Sequence, residues 1–334
     1  MIAETGVSVV NDVFSNFWVV LVIKAGVILG FFLTAPMVVG YAEHKVLAHM
    51  QSRLGPMEAG RFHGWAQLIA DGIKFVQKED VIPAAADHWV FTLAPAVAMI
   101  PYIVLFVVIP FGPTVFAENL DVGIFFVLAL SSVSVIGVLM AGWASANKFS
   151  LIGALRAAAQ LIAYELPLIL AAAAVVMQAG TLSMIGLAEA QDKMWFVVPQ
   201  IVGFGIFIVA SLAELTRPPF DMPIADSEII YGAYTEYTGL KFAFFLLAEY
   251  GGIVALSAIA SVLYLGGYRG LLIPLPPPIW MAAKIGALSF FIIWLRATYP
   301  RLREDQLQRF SWVVLIPLAL VNIMVTAVLK IAFH

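Results

Sequence analysis

Eight long apolar runs decide what this chain can fold into. They lie at approximately 16–40, 90–112, 122–144, 158–178, 195–213, 242–265, 279–296 and 311–332. A helix that crosses a bilayer needs about 20 apolar residues, and most of these runs reach that length. The chain is 62% hydrophobic and 12% charged, where soluble domains carry about 25% charged residues. Its mean hydropathy is +0.97. So much apolar surface needs lipid as its solvent. Strands of a membrane barrel alternate in hydrophobicity every second residue, and these runs do not. The expected fold class is therefore all-α, a polytopic membrane protein in which residues 1–334 form a single integral membrane domain. No internal repeat is evident. The acidic N-terminus (Glu4, Asp12) lacks the basic region of a cleavable signal peptide, so the first run is expected to remain as a span.

Basic residues predict the orientation. Loops on one side carry Lys45, Arg53, Arg61, Lys74, Lys78, Lys148, Arg156, Arg217, Lys241, Arg296, Arg301, Arg303 and Arg309, and the other side carries Lys193, Arg269 and Lys330. The positive-inside rule makes the first set cytoplasmic, and an even number of spans then puts both termini outside. The cytoplasmic loop 41–89 contains Trp65, Leu68, Ile69, Gly72, Ile73 and Val76 at helical spacing. Pro83 follows. This pattern predicts an amphipathic helix, either lying at the interface or packed against a partner.

The segment from Glu214 to Glu249, with the acidic loop 214–241 inside it, is the chemical centre of the sequence. Glu214, Asp221, Asp226, Glu228, Glu236 and Glu249 share it with two basic residues, Arg217 and Lys241. Charge at a membrane boundary costs about 2.5–3.5 kcal/mol per buried residue, so the segment is a functional candidate. Glu249 enters the sixth run. Glu165 enters the fourth and is followed by Pro167, which predicts a helix break covered by neighbouring helices or bordering a cavity. Lys24 and Lys284 also lie in runs, and their long stems can snorkel to the interface. The histidines lack metal-ligand spacing, and no nucleophile–base pair stands out. The absence of cysteine excludes thiolate-held zinc and iron–sulfur clusters in this chain. The chemistry expected is that of protons and charges in a membrane, with no catalytic residue for covalent chemistry in this chain.

Particular stretches add a family resemblance. They are Glu43-His-Lys-Val-Leu-Ala with Gln51-Ser-Arg-Leu-Gly-Pro56, Asn147 to Arg156 running into Tyr164-Glu-Leu-Pro167, Arg217-Pro-Pro-Phe-Asp221, Glu236-Tyr-Thr-Gly-Leu-Lys-Phe, and Trp294 to Arg301 with Asp305-Gln-Leu. In this order, over roughly 43–312, they resemble the H (first mitochondrially encoded) membrane subunits of respiratory complex I, the proton-pumping NADH:quinone oxidoreductase. The resemblance implies a subunit inactive alone, docked between hydrophilic quinone-module subunits and the small and antiporter-like membrane subunits. It implies quinone as substrate, with FMN and iron–sulfur clusters held by partners. It implies a quinone chamber near His44, Arg53, Phe220 and Arg296. It implies a proton path through Glu165, Glu214, Asp221, Asp226, Glu228, Glu236 and Glu249, and a bacterial cytoplasmic (inner) membrane as the location. The family usually has arginine at His44, asparagine at Met57, glutamate at Ile224 and lysine at Val313. A membrane-bound hydrogenase or other-donor dehydrogenase uses a homologous subunit. An independent secondary transporter or a structural anchor are the readings from other classes.

Overall fold

A computed structural model describes residues 16–270 and 274–333. The acidic N-terminal residues Glu4 and Asp12 lie outside the described residues. All regular structure among the described residues is helical. In chain order the helices are α1 (Phe17–Met50), α2 (Gln67–Gln77), α3 (His88–Leu105), α4 (Gly123–Ala144), α5 (Lys148–Ala179), the short α6 (Met184–Glu189), α7 (Ile201–Glu214), the single turn α8 (Asp226–Ile229), α9 (Gly239–Tyr264), α10 (Pro277–Thr298), α11 (Glu304–Phe310) and α12 (Ile316–Phe333). A π-helical turn, Ser311–Leu315, joins α11 to α12. Seven helical runs, among them Glu304–Ala332, are long and apolar enough to cross a membrane, and α7 is a shorter apolar helix.

The core is centred on α9 and α5. In α9, 61% of the most apolar stretch is buried by protein, whereas in α1 the figure is 6%, so α1 stands at the periphery. Small residues let helices approach closely, as membrane helices require. A Cβ on Gly137 of α4 would lie 2.4 Å from the backbone nitrogen of Ala98 in α3.

Several spans differ from the sequence expectation. Helix α3 ends at Leu105, where the run extends to 112. The last helical run starts at Glu304, ahead of the expected start at 311. Three more spans differ. Helix α1 continues to Met50, because Glu43, His44 and Lys45 end the apolar run without breaking a helix. Helix α5 begins at Lys148, where Asn147 caps it by accepting a hydrogen bond from the Phe149 amide at 2.9 Å. The run 195–213 is helical only from Ile201. Its 14 residues give about 21 Å, short of the ~30 Å hydrocarbon layer. The preceding turns are tied down by buried glutamines. Gln191 accepts from the Phe196 amide at 3.0 Å, and Gln200 donates to Thr326 at 2.7 Å.

Pro167 does not interrupt α5. It lacks the N–H that would bond the carbonyl of Ala163. Ser311, in the π turn, donates its hydroxyl to that carbonyl at 2.5 Å, and Tyr164 donates to the Leu307 carbonyl at 2.9 Å. The irregularity of each helix is thus satisfied by the other. Lys284 also corrects an expectation. It does not snorkel, being 6% exposed, and it donates to the carbonyls of Leu265, Gly267 and Arg269 at 2.5, 2.7 and 2.6 Å. It closes the end of α9. Lys24 donates to the Ala117 carbonyl at 2.6 Å.

Candidate functional site

Sequence position hides the centre of the site, because its members come from four separate stretches. Glu43 of α1 is 1% exposed. Both of its carboxylate oxygens accept from Nη1 of Arg217, each at 2.7 Å, and it also pairs with Arg296 of α10. The Nε of Arg217 lies 2.7 Å from Glu249 of α9, and its guanidinium lies 4.8 Å from the ring centre of Tyr250. Two carboxylates and two guanidinium groups therefore compensate one another at the junction of α1, α9, α10 and the loop after α7. A buried charge is tolerated when it is paired and hydrogen-bonded in this way.

Glu249 also lines a second feature, a cavity of about 50 Å³ shared with Glu214, Tyr102, Ser134, Thr216 and Tyr234. One water needs roughly 10–15 Å³ of such volume and several polar partners, so this cavity has room for a few. Ser131 of α4 is within hydrogen-bonding reach of Glu214, and Ser132 donates to Glu165. Adjacent serines on one helix thus lie beside the two carboxylates, the Ser131 hydroxyl itself donating to the Leu128 carbonyl at 2.9 Å. Among the described residues, Glu249, Glu214 and Glu165 form a discontinuous row spaced by hydroxyl groups.

A third feature lies between α1, α2 and α9. It is an apolar groove of about 430 Å³ lined by Leu33, Met37, Leu68, Ile73, Leu240, Phe244, Leu247 and Tyr250. The expected apolar face of α2 forms one wall, whereas Trp65 lies outside the helix and donates to the Gly60 carbonyl at 3.2 Å. Near the start of α2, a more polar pocket of about 480 Å³ is lined by His44, Arg53, Gly55, Pro56 and Gln67.

Of the four residues expected at a quinone site, His44 and Arg53 thus share one pocket. Arg296 pairs with Glu43, the neighbour of His44. Phe220 is 4% exposed and packs on Tyr164 with ring centres 5.3 Å apart, off that pocket's wall. Gln160 holds it there by donating to its carbonyl at 2.6 Å.

The carboxylates between Glu214 and Glu249 divide into two sets. Glu214 and Glu249 face the interior. Asp221 and Glu228 meet arginines from distant sequence. Arg301 lies 3.1 Å from Asp221 and 3.8 Å from Glu228, and Arg156 lies 2.5 Å from Glu228. The hydrogen bond from Arg156, opposed by partial burial and aided by the charges of Arg301 and Arg156, holds the Glu228 carboxyl below its ordinary value. Glu236 accepts from the Asn147 side chain at 2.6 Å. The side chain of Asp226 lies outside the described residues. Sequence reasoning missed Arg217, Glu43, Tyr102, Tyr234, Tyr250, Ser131 and Ser132 as site members. The local signals were the Ser-Ser pair inside an apolar run and the two motifs that open with Glu43 and with Arg217.

An all-helical membrane protein with a compensated charge cluster, joined to a polar cavity and flanked by an apolar groove, belongs to the class that handles charge within the bilayer. Comparison with known proteins narrows the class. The family model described as NADH dehydrogenase matches residues 23–327. The H subunit of the NADH-quinone oxidoreductase of Dehalococcoides mccartyi strain CBDB1 is 47% identical over 313 residues, covering 94% of this chain and 88% of that protein. Its counterpart in Geobacillus kaustophilus is 44% identical over 294 residues, covering 87% and 88%. The one in Geobacillus thermodenitrificans is 44% identical over 309 residues, covering 92% of each chain. The chain belongs to this family, that of the H subunit of NADH-quinone oxidoreductase, or complex I.

Proposed function

We propose that this chain is the complex I membrane subunit that receives the quinone and starts the proton path. In this reading the apolar groove takes the isoprenoid tail. The head group meets polar partners near His44, Arg53 and the Glu43–Arg296 pair, and Phe220 supports the loop behind them. A quinone site needs this combination of apolar length and few polar contacts. Partners hold FMN and the iron–sulfur clusters. The hydrophilic quinone-module subunits dock on the side of the acidic loop, which faces the bacterial cytoplasm, and the small and antiporter-like membrane subunits continue the path. Both termini lie on the outer side.

The observation that carries the reading is the double role of Glu249-Tyr250. Tyr250 forms part of the apolar groove and stacks under Arg217. Glu249 pairs with that arginine and lines the cavity of Glu214. Charge delivered at the groove end is therefore felt at the carboxylates. Two unit charges 4 Å apart interact by about 4 kcal/mol at an effective dielectric of about 20, which is about three pKa units. Carboxylates coupled this strongly change protonation together. The row Glu249, Glu214, Glu165 passes the change inward. Asp221, Glu228 and Glu236 act at the loop's rim, where their arginine and asparagine partners hold the loop in place, and Asp226 is assigned to the same path by its sequence position alone.

The test replaces Glu165 and Glu249 singly by Gln in the whole complex, reconstituted in vesicles. Quinone turnover and proton pumping are expected to fall together in each variant. Wild-type turnover and pumping in both single variants and in the double variant would remove the relay.

A further inference from the structure

The row of carboxylates needs a supply of protons from water, and the structure offers a second pocket beside the quinone groove, with Phe75 as the shared wall. On the side of the acidic loop, a pocket of about 320 Å³ is lined by Phe75, Lys78, Tyr231, Tyr234, Thr238 and Phe242. It lies between the end of α2 and the start of α9. Its frame is fixed. The Thr238 hydroxyl donates to the Glu79 carbonyl at 3.1 Å and accepts from the Val81 amide at 3.2 Å, and Lys241 pairs with Asp80 at 2.8 Å. The exposed Lys78 stands at its edge. Among the described residues only Tyr234 lines both this pocket and the small cavity of Glu214 and Glu249.

We propose that Tyr234 is the proton-entry residue of the carboxylate row, passing protons from water in the outer pocket to water in the inner cavity and so to Glu249 and Glu214. The proposal rests on reading those glutamates as proton carriers. The ring of Tyr234 is half-buried and packs on Phe245 with centres 4.5 Å apart, which fixes the wall between the two spaces. Its hydroxyl has no hydrogen-bond partner in the protein among the described residues, so it is available to water on either side. Burial, followed by the charge of Glu249 and the neighbouring phenols, pushes the phenol above its ordinary range. It therefore stays protonated at all working pH values. It acts by exchange: the phenol oxygen accepts a proton from outer water as its own proton leaves to inner water. That proton protonates a carboxylate, and rotation of the hydroxyl resets the group. No electron moves and no further reactant is needed.

The experiment is Tyr234→Phe in the assembled complex in vesicles, with turnover and pumping measured in H₂O and D₂O. The substitution keeps the ring packing and removes only the hydroxyl. Turnover is expected to fall about tenfold, less than the roughly 100-fold or more that a positioned acid–base group contributes, because water partly bridges the gap. The solvent isotope effect on turnover is expected to rise, since proton delivery becomes limiting. Turnover and isotope effect both unchanged would overturn the proposal. A fall in turnover with an unchanged isotope effect would also overturn it, marking a packing role. Glu249→Gln is assayed alongside. If that variant is impaired while Tyr234→Phe is not, the entry route fails and the relay stands. If Glu249→Gln is also wild-type, the relay itself fails.

Discussion

Glu43 and Arg217 are 1% and 2% exposed, and their motifs, far apart in the sequence, do not show that they pair. Their burial is tolerable because each has more than one partner. Glu43 holds Arg217 and Arg296, and Arg217 holds Glu43 and Glu249. Removing one member leaves a net buried charge, which costs about 3–5 kcal/mol. Glu43→Gln and Arg217→Gln are each expected to lower the inactivation temperature and the yield of assembled complex. The double variant restores neutrality and is expected to lose less than the sum of the two, because groups in contact are energetically coupled. Strict additivity in that cycle would show that the pair does not act as a unit. Arg53 is a different case. It is exposed, its Nε donates to the Gln51 side chain at 2.8 Å, and it lines the pocket with His44. Arg53→Ala is expected to raise the KM for short-tailed quinones with assembly intact. Failed assembly with a normal KM in the residual complex would make it an anchor.

Among the elements, α5 and the α11–α12 run depend on each other. Pro167 frees a carbonyl in α5, and the π turn brings Ser311 to it. Tyr164 returns the contact at Leu307. A buried polar group left without its partner costs about 1–3 kcal/mol. Ser311→Ala and Tyr164→Phe are each expected to destabilise the complex by about that much, and because the two bonds engage the residues immediately before Glu165, pumping is expected to fall with stability. A wild-type inactivation temperature for both variants would show that these bonds contribute nothing. In the loop between α7 and α9 one close backbone contact sets the turn at Gly232. Gly232 has φ +55, and a Cβ there would meet the Pro223 carbonyl oxygen at 1.7 Å. It turns the chain against Gly153 of α5, so the acidic loop lies flat on that helix.

At the scale of the whole molecule, the acidic loop is held by charges from elsewhere in the fold. Arg156 comes from α5 and Arg301 from the segment after α10. The Glu228 carboxyl is held below the ordinary value of 4.5, so the folded state favours its ionised form. This contribution is fully present above about pH 4.5 and is lost as pH falls through the lower folded-state value. Glu228 is 46% exposed, so the effect is modest and weakens with salt. Limited proteolysis of residues 221–236 is expected to accelerate on acidification, on addition of salt and in Arg301→Gln. Insensitivity to all three would show that packing alone holds the loop.

Residue order alone is enough to place the chain in lipid, to make its spans helices and to locate most of them. Apolar length and helical periodicity are local properties, written in consecutive residues. It also marked Glu165 and Glu249, because a carboxylate inside an apolar run is conspicuous by its local cost, and it left Glu214 with the acidic loop. It did not separate interior carboxylates from those on the rim, since the arginines that neutralise Asp221 and Glu228 are far away in the chain. Nor did it reveal Glu43 with Arg217 and Arg296, the serines beside the glutamates, or the short helix of α7. Each of these rests on partners contributed by other helices. Tertiary structure alone decided them, because the energy of a charge or a hydroxyl in a membrane is set by what faces it across the gap between helices.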